Sequence, residues 1–195
     1  MIIWLNGAFG SGKTTCAFEL HRRLPNSFVY DPENVGYFIR SNVPREASKP
    51  DFQDCEQWRS FNYEMLLYIY QNYKGTMIVP MTITSKLYYE EIIERLANDG
   101  VEIKHFILYA DKKTLIKRLN KRLERGDSWA KAQIDRCLHS FDHIITEEKI
   151  MTDKLAPERV VEEVAGRSGL ELEPDRRSKV KKLMDRALVL IKHIR

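Results

Sequence analysis

Short apolar runs alternate with amphipathic stretches along the whole chain. Ile2 to Asn6 has the unbroken apolar character of a strand buried on both faces, and a glycine-rich turn separates it from a helical pattern over about Lys13 to Leu24. A second short apolar run, Phe28 to Tyr30, is followed by Asp31 and Pro32, which read as an N-cap with proline at the first helical position. Ser41 to Gln57, rich in Pro, Asp, Ser and Glu, is expected to be irregular, and a helix over about Trp58 to Tyr73 should end before Gly75. Thr76 to Ile83 is a third strand, with Pro80 near its end because proline has no N–H for the ladder. The pattern predicts helix over Ser85 to Asn98, closed by Gly100, and strand over Glu102 to Ala110. A helix capped by Asp111 and reaching about Arg125 follows, then a break at Gly126 to Trp129 and helix over about Ala130 to His139. Lys149 to Thr152 is a short fifth strand before a helix over Pro157 to Ser168. Strands alternating with helices predict an α/β domain: a parallel sheet of about five strands flanked by helices, followed by a C-terminal amphipathic helix.

Composition narrows this picture. At 195 residues, 43% hydrophobic and 31% charged, the chain suits one folded domain rather than two, and it is not a disordered segment. The longest apolar run, Met65 to Tyr70, is far too short to span a membrane, and the N-terminal segment lacks the features of a secretory leader. Cys16, Cys55 and Cys137 are scattered and odd in number, so neither a disulfide framework nor a zinc site is expected, and a reducing cytoplasm is the expected setting.

The charge is unevenly placed. Residues 175–195 hold eight Lys/Arg and two Asp/Glu, a net of +6, which leaves −2 for residues 1–174 out of a total of +4. A general nucleic-acid binder is therefore not expected; instead, residues 1–174 form the domain and 175–195 a basic appendage.

The chemistry is carried by Gly7-Ala8-Phe9-Gly10-Ser11-Gly12-Lys13-Thr14, which fits G-x-x-x-x-G-K-[ST] between a strand and a helix. Glycines let backbone N–H groups close around phosphate oxygens, and the helix aims its positive end at the same anions. Lys13 would reach the β/γ-phosphates of ATP, Thr14 would ligate Mg²⁺, and Thr15 adds a hydroxyl near the α-phosphate. A dinucleotide fingerprint fails, because Thr15 stands where a small closing residue is needed. A regulatory GTPase would show Asn-Lys-x-Asp, and Asn120-Lys121-Arg122-Leu123 lacks the Asp. Phe106 to Asp111 matches a Walker B pattern, but Asp111 stands where an N-cap belongs.

That leaves the profile of a small kinase. Asp31, at the end of the second strand, is a candidate base for an acceptor hydroxyl, a role compatible with capping. Arg118, Arg122 and Arg125 share a helix face and could stabilise the transferring phosphoryl group, or simply face solvent. Trp58 and Arg59 lie where an acceptor would bind: the ring could stack on a base or pack in the core, and the guanidinium could hold an anionic group.

The segments Met1 to Thr14, Phe18 to Leu24, Val29-Tyr30-Asp31-Pro32-Glu33, Ile78 to Thr82, Ser128-Trp129-Ala130, Gln133 to Cys137 and His193-Ile194-Arg195 together resemble the tunicamycin resistance protein family over essentially the whole chain. The resemblance implies an ATP-binding, nucleoside-monophosphate-kinase-like fold and tolerance to a lipophilic uridine-containing antibiotic, by phosphorylating it or by sequestering it at the membrane without turnover. Finally, Val180, Leu183, Met184, Ala187, Leu188, Ile191 and Ile194 fall on one helical face, with Lys181, Lys182, Arg186 and Lys192 opposite. Such a helix is expected to lie on an anionic membrane at the inner face, to dock on its own domain, or to pair with a second copy in a homodimer.

Overall fold

The computed structural model describes residues 1–121 and 129–193. Five strands form one parallel sheet: β1 (Ile2–Asn6), β2 (Ser27–Val29), β3 (Thr76–Pro80), β4 (Ile103–Tyr109) and β5 (Glu148–Met151), in the order β2-β3-β1-β4-β5. The expected α/β architecture is thus the observed one. β1 is central, and its side chains alternate faces as a strand requires: Ile2 and Trp4 enter one core, Ile3 and Leu5 the other.

Around the sheet run α1 (Lys13–Arg23), α2 (Glu33–Asn42), α3 (Glu56–Asn72), α4 (residues 86–98, with a π-turn at Glu90–Glu94), α5 (Lys112–Lys121), α6 (Trp129–Ala132), α7 (Ile134–His143), α8 (Pro157–Arg167) and α9 (Lys179–His193). The stretch expected to be irregular between α2 and α3 carries two 3₁₀ turns, Arg45–Ala47 and Phe52–Asp54. Asp111 caps α5, its Oδ1 accepting from the Thr114 N–H at 2.6 Å, which settles that carboxylate as a cap. Pro80 ends β3, and Gly100 closes α4 in the left-handed region at φ +80°.

One polar side chain at the core makes no hydrogen bond among the described residues. His105 on β4 is buried beside Trp4 and stacks on Tyr89 with ring centroids 5.8 Å apart. Neither ring nitrogen has a hydrogen-bond partner among the described residues; the Glu147 carboxylate lies 3.9 Å from Nδ1 and accepts the Tyr89 hydroxyl. Burial lowers the imidazole pKa to about 3, so it is neutral at ordinary pH.

The C-terminal helix docks on the domain, but not in the manner its amphipathic pattern suggests. Its charged side faces inward. Arg177, just ahead of α9, pairs with Glu19 at 2.5 Å, Asp185 at 2.7 Å and Asp175 at 2.9 Å. Arg186 reaches Glu158 at 2.7 Å, and Lys182 reaches Asp175 at 3.1 Å. Arg186 and Lys182, expected on a polar face opposite the apolar stripe, are therefore spent on ion pairs, Arg186 with the domain and Lys182 with Asp175 of the segment leading into the helix. The apolar face points outward instead, with Val180, Leu183, Met184, Leu188 and Ile191 each more than half exposed.

Candidate nucleotide and acceptor site

The phosphate loop grows out of the C-terminal end of β1. Asn6, the last strand residue, is wholly buried, and its side chain fixes the loop's start. Its Oδ1 accepts from the N–H groups of Gly7 at 2.8 Å and Ile83 at 3.0 Å, while Nδ2 donates to the Ile83 carbonyl at 2.9 Å. Gly7 then turns at φ +145°, where an added Cβ would lie 2.6 Å from the Leu108 carbonyl oxygen. Gly12 opens α1 in the left-handed region at φ +102°. No side chain caps α1 and its first turn holds no acidic residue, so the donors at its start remain available to an anion.

Lys13 is buried at the loop, where Nζ donates to the carbonyls of Gly7 at 2.8 Å and Ala8 at 3.2 Å and lies 5.6 Å from the centre of the Phe9 ring. Ser11 Oγ is buried without a hydrogen-bond partner among the described residues. Thr14 and Thr15 are half-buried in the first turn of α1. An orphan hydroxyl, a helix start without a cap and a buried ammonium form a donor set suited to phosphate, and the Thr14 hydroxyl is a hard oxygen ligand of the type Mg²⁺ takes together with phosphates.

Asp31 follows β2, half-buried, and Oδ1 accepts from the Glu33 N–H at 3.0 Å. That hydrogen bond steadies the turn into α2, but the expected cap is shifted by one residue: Pro32 rather than Asp31 is the N-cap of α2, and no side chain caps the helix. Both neighbours of Asp31 are anchored by α3: the Tyr30 hydroxyl donates to Asn62 Oδ1 at 2.9 Å, and the Trp58 indole N–H donates to the Pro32 carbonyl at 3.0 Å. Burial, and then the Asp31 charge, push the Tyr30 phenol well above its ordinary range.

Two expectations need correction. Trp58 is fully buried against Phe52, so no ring face is open to a base. Arg59 is buried too; it pairs with Glu91, donates to the Gln53 carbonyl at 2.8 Å and lies over the Tyr88 ring. With Nε and Nη1 committed to Glu91 and Gln53, Arg59 joins α3 to α4 rather than standing open to solvent. Arg118 does reach the phosphate loop, 3.4 Å from the Ser11 carbonyl, but its guanidinium also donates to the Thr152 hydroxyl at 3.0 Å and carbonyl at 2.6 Å. Arg122 and Arg125 lie outside the described residues.

The structure adds contacts that motif reading missed. Thr82 donates to the Gly7 carbonyl at 2.8 Å and accepts from Gln53 Nε2 at 3.0 Å, so a hydrogen-bonded chain runs from Arg59 through Gln53 and Thr82 to the phosphate loop. Phe9 packs edge-on against Trp129, with centroids 5.1 Å apart. Polar residues just beyond β3 were the available signal for the first; Phe9 and Trp129 both stand in segments the sequence singles out, but nothing local marked their contact.

Comparison with known proteins agrees with this geometry. Residues 2–144 match the family described as AAA domain. The structure of the tunicamycin resistance protein of Deinococcus radiodurans is 32% identical, with a TM-score of 0.77, covering 89% of this chain and 98% of that one. Shikimate kinase from Bacteroides thetaiotaomicron shares the fold at 19% identity and TM-score 0.57, covering 87% of this chain and 99% of that one. Deoxyadenosine kinase from M. mycoides does so at 16% identity and TM-score 0.54, with the same coverage of 87% and 99%. No curated protein matches the chain.

Proposed function

Since the chain belongs to the tunicamycin resistance protein family, within the AAA domain family of P-loop proteins, we propose that it is a Mg²⁺-dependent phosphotransferase that moves the γ-phosphoryl group of ATP to a hydroxyl of a small nucleoside-like acceptor, tunicamycin being the first candidate. The observation that carries this reading is the phosphate loop, where Lys13 is buried at the start of a helix that no side chain caps. Thr14, together with the phosphates, would hold Mg²⁺, which when bound would neutralise phosphate charge. Lys13 leaves the Gly7 and Ala8 carbonyls for the β/γ-phosphates, and the Ser11 hydroxyl and the first N–H groups of α1 hold phosphate oxygens. The acceptor oxygen bonds to the γ-phosphorus, the bond from that phosphorus to the bridging oxygen of ADP breaks, and the hydroxyl proton passes to Asp31. The hydrogen bond from Glu33 fixes one carboxylate oxygen of that base. Arg118 adds positive charge beside the loop.

Incubation with ATP, Mg²⁺ and tunicamycin, read by mass spectrometry, should show the gain of one phosphoryl group. Asp31→Asn should lower turnover by about 10²–10⁴-fold with ATP binding retained. If neither tunicamycin nor a panel of nucleoside and sugar acceptors is phosphorylated, while the protein binds tunicamycin tightly and Asp31→Asn still protects cells, sequestration replaces transfer.

The proposal includes location. No helix among the described residues is long and apolar enough to cross a membrane. The outward apolar stripe of α9, with Lys179 and Lys181 exposed at its margins, suits the surface of an anionic bilayer on the cytoplasmic side. Salt-sensitive sedimentation with anionic vesicles should disappear when the chain is cut after Asp175; equal sedimentation of the two forms would remove the membrane from the proposal.

A further inference from the structure

We propose that the cleft between the end of α1 and the segment leading into α9 is a binding site for a phosphate-bearing anion, separate from the phosphate loop. The cleft has a volume of about 320 Å³, and four arginines line it: Arg22 and Arg23 from the last turn of α1, and Arg176 and Arg177 from the approach to α9.

The four guanidiniums are not equivalent. Arg177 is neutralised by Glu19, Asp175 and Asp185. Arg23 donates to the Glu173 carbonyl at 2.9 Å and lies 3.8 Å from Glu162. These two build the walls. Arg22 is 39% exposed, and its nearest carboxylate oxygen, Asp185 Oδ2, is 4.0 Å away and already held by Arg177 at 2.7 Å. Arg176 is exposed, with no carboxylate at ion-pair distance among the described residues. Of the two acidic residues at the cleft, Asp175 is spent on Arg177 and Lys182, which leaves Glu173 at the exposed rim.

Two guanidiniums with uncommitted donors therefore border one small space. Each offers a planar fork of N–H groups, and a tetrahedral phosphate has enough oxygens to receive two forks where a carboxylate has only one pair. The negative end of α1 favours Arg22 and Arg23 at this position, but it does not account for Arg176, which belongs to another segment. The phosphate could be a free ester in solution, or a lipid headgroup beside α9, since Arg176 and Arg177 lead directly into that helix. Neither source depends on the chemistry at the phosphate loop.

The test uses the full chain. Guanidinium Nε–H signals of Arg22 and Arg176, assigned with Arg22→Lys and Arg176→Lys, are followed by NMR during titration with inorganic phosphate; because they are local, phosphate at the loop does not interfere. In parallel, phosphatidylglycerol vesicles are titrated with the parent chain, with Arg22→Ala/Arg176→Ala, and with Arg45→Ala/Lys49→Ala, which removes two exposed cations elsewhere. A free ester as ligand gives saturable shifts at both arginines and equal vesicle binding by the two double variants. A headgroup as ligand gives a loss of about tenfold or more in vesicle affinity confined to the Arg22/Arg176 variant. No saturable shift together with equal vesicle binding by the two double variants overturns the proposal.

Discussion

Replacing His105 by Phe should make the stability of the protein less sensitive to mild acid. In the folded state burial lowers the imidazole pKa to about 3, whereas an unfolded chain has a histidine titrating near 6.5. The unfolded state therefore binds the extra proton first. Stability tied to His105 is complete above about pH 6.5, is lost as pH falls below that value, and reaches its full loss near pH 3. At pH 5 the gap of about 1.5 pH units corresponds to about 2 kcal/mol, a sizeable share of a typical total of about 5–15 kcal/mol. For a domain of this size that is a fall in Tm of about 4–8 °C between pH 7.5 and 5. Glu147, 3.9 Å from Nδ1, would attract the imidazolium and trims the figure; Tyr89 and Trp4, the other neighbours, do not titrate in this range. Phe keeps the stacking on Tyr89 and removes two ring nitrogens that lack hydrogen-bond partners. The assay is thermal and urea unfolding of both proteins from pH 7.5 to 5, in which the other histidines are common to both and cancel. Parallel pH–stability curves for parent and variant would refute the reasoning.

Other substitutions test the site and its supports. Lys13→Ala should weaken Mg·ATP binding by about 10–150-fold in calorimetry, the loss of a charge-assisted contact to phosphate, and an affinity within twofold of the parent would contradict the placement of that ammonium. Trp58→Phe removes the donor to the Pro32 carbonyl and leaves space in the core; a loss of about 3 kcal/mol is expected from denaturant melts, with turnover falling beyond what ATP affinity explains because Pro32 adjoins Asp31. Arg177→Ala leaves Glu19, Asp175 and Asp185 with weaker partners and should cost about 3 kcal/mol at pH 7. Arg177 holds Asp175 far below the carboxylate range, so the cost should shrink as pH falls below about 4, and a pH-independent cost would argue against the ion-pair origin.

What the chain disclosed in advance follows from the range of the forces involved. The alternation of strands and helices, the Asp111 cap and the phosphate loop are encoded within a few residues and stand where the local pattern places them, while ends differ: the third strand stops at Pro80 rather than Ile83, and Trp129 is helical. Trp58 and Arg59 differ. Their residue types suit either binding or packing, and the choice is made by Pro32, Phe52, Gln53 and Glu91, which the fold brings to them. The same holds for α9: periodicity separates its two faces, but Glu19 and Glu158, distant in sequence, decide which face turns inward. His105 left no trace at all, since an apolar strand tolerates one imidazole without any local sign of its burial.

The manner in which α9 is held also has a thermodynamic consequence. Asp185 is the sole buried residue among the described side chains of the helix, and no residue of α9 enters either hydrophobic core. Lifting the helix from the domain would break ion pairs while exposing little new apolar surface, because the stripe is in water already. Undocking should therefore carry a small heat-capacity change and grow easier with added salt, the reverse of a helix seated by oil-like contacts. The tail can exchange partners without disturbing the packing of the sheet.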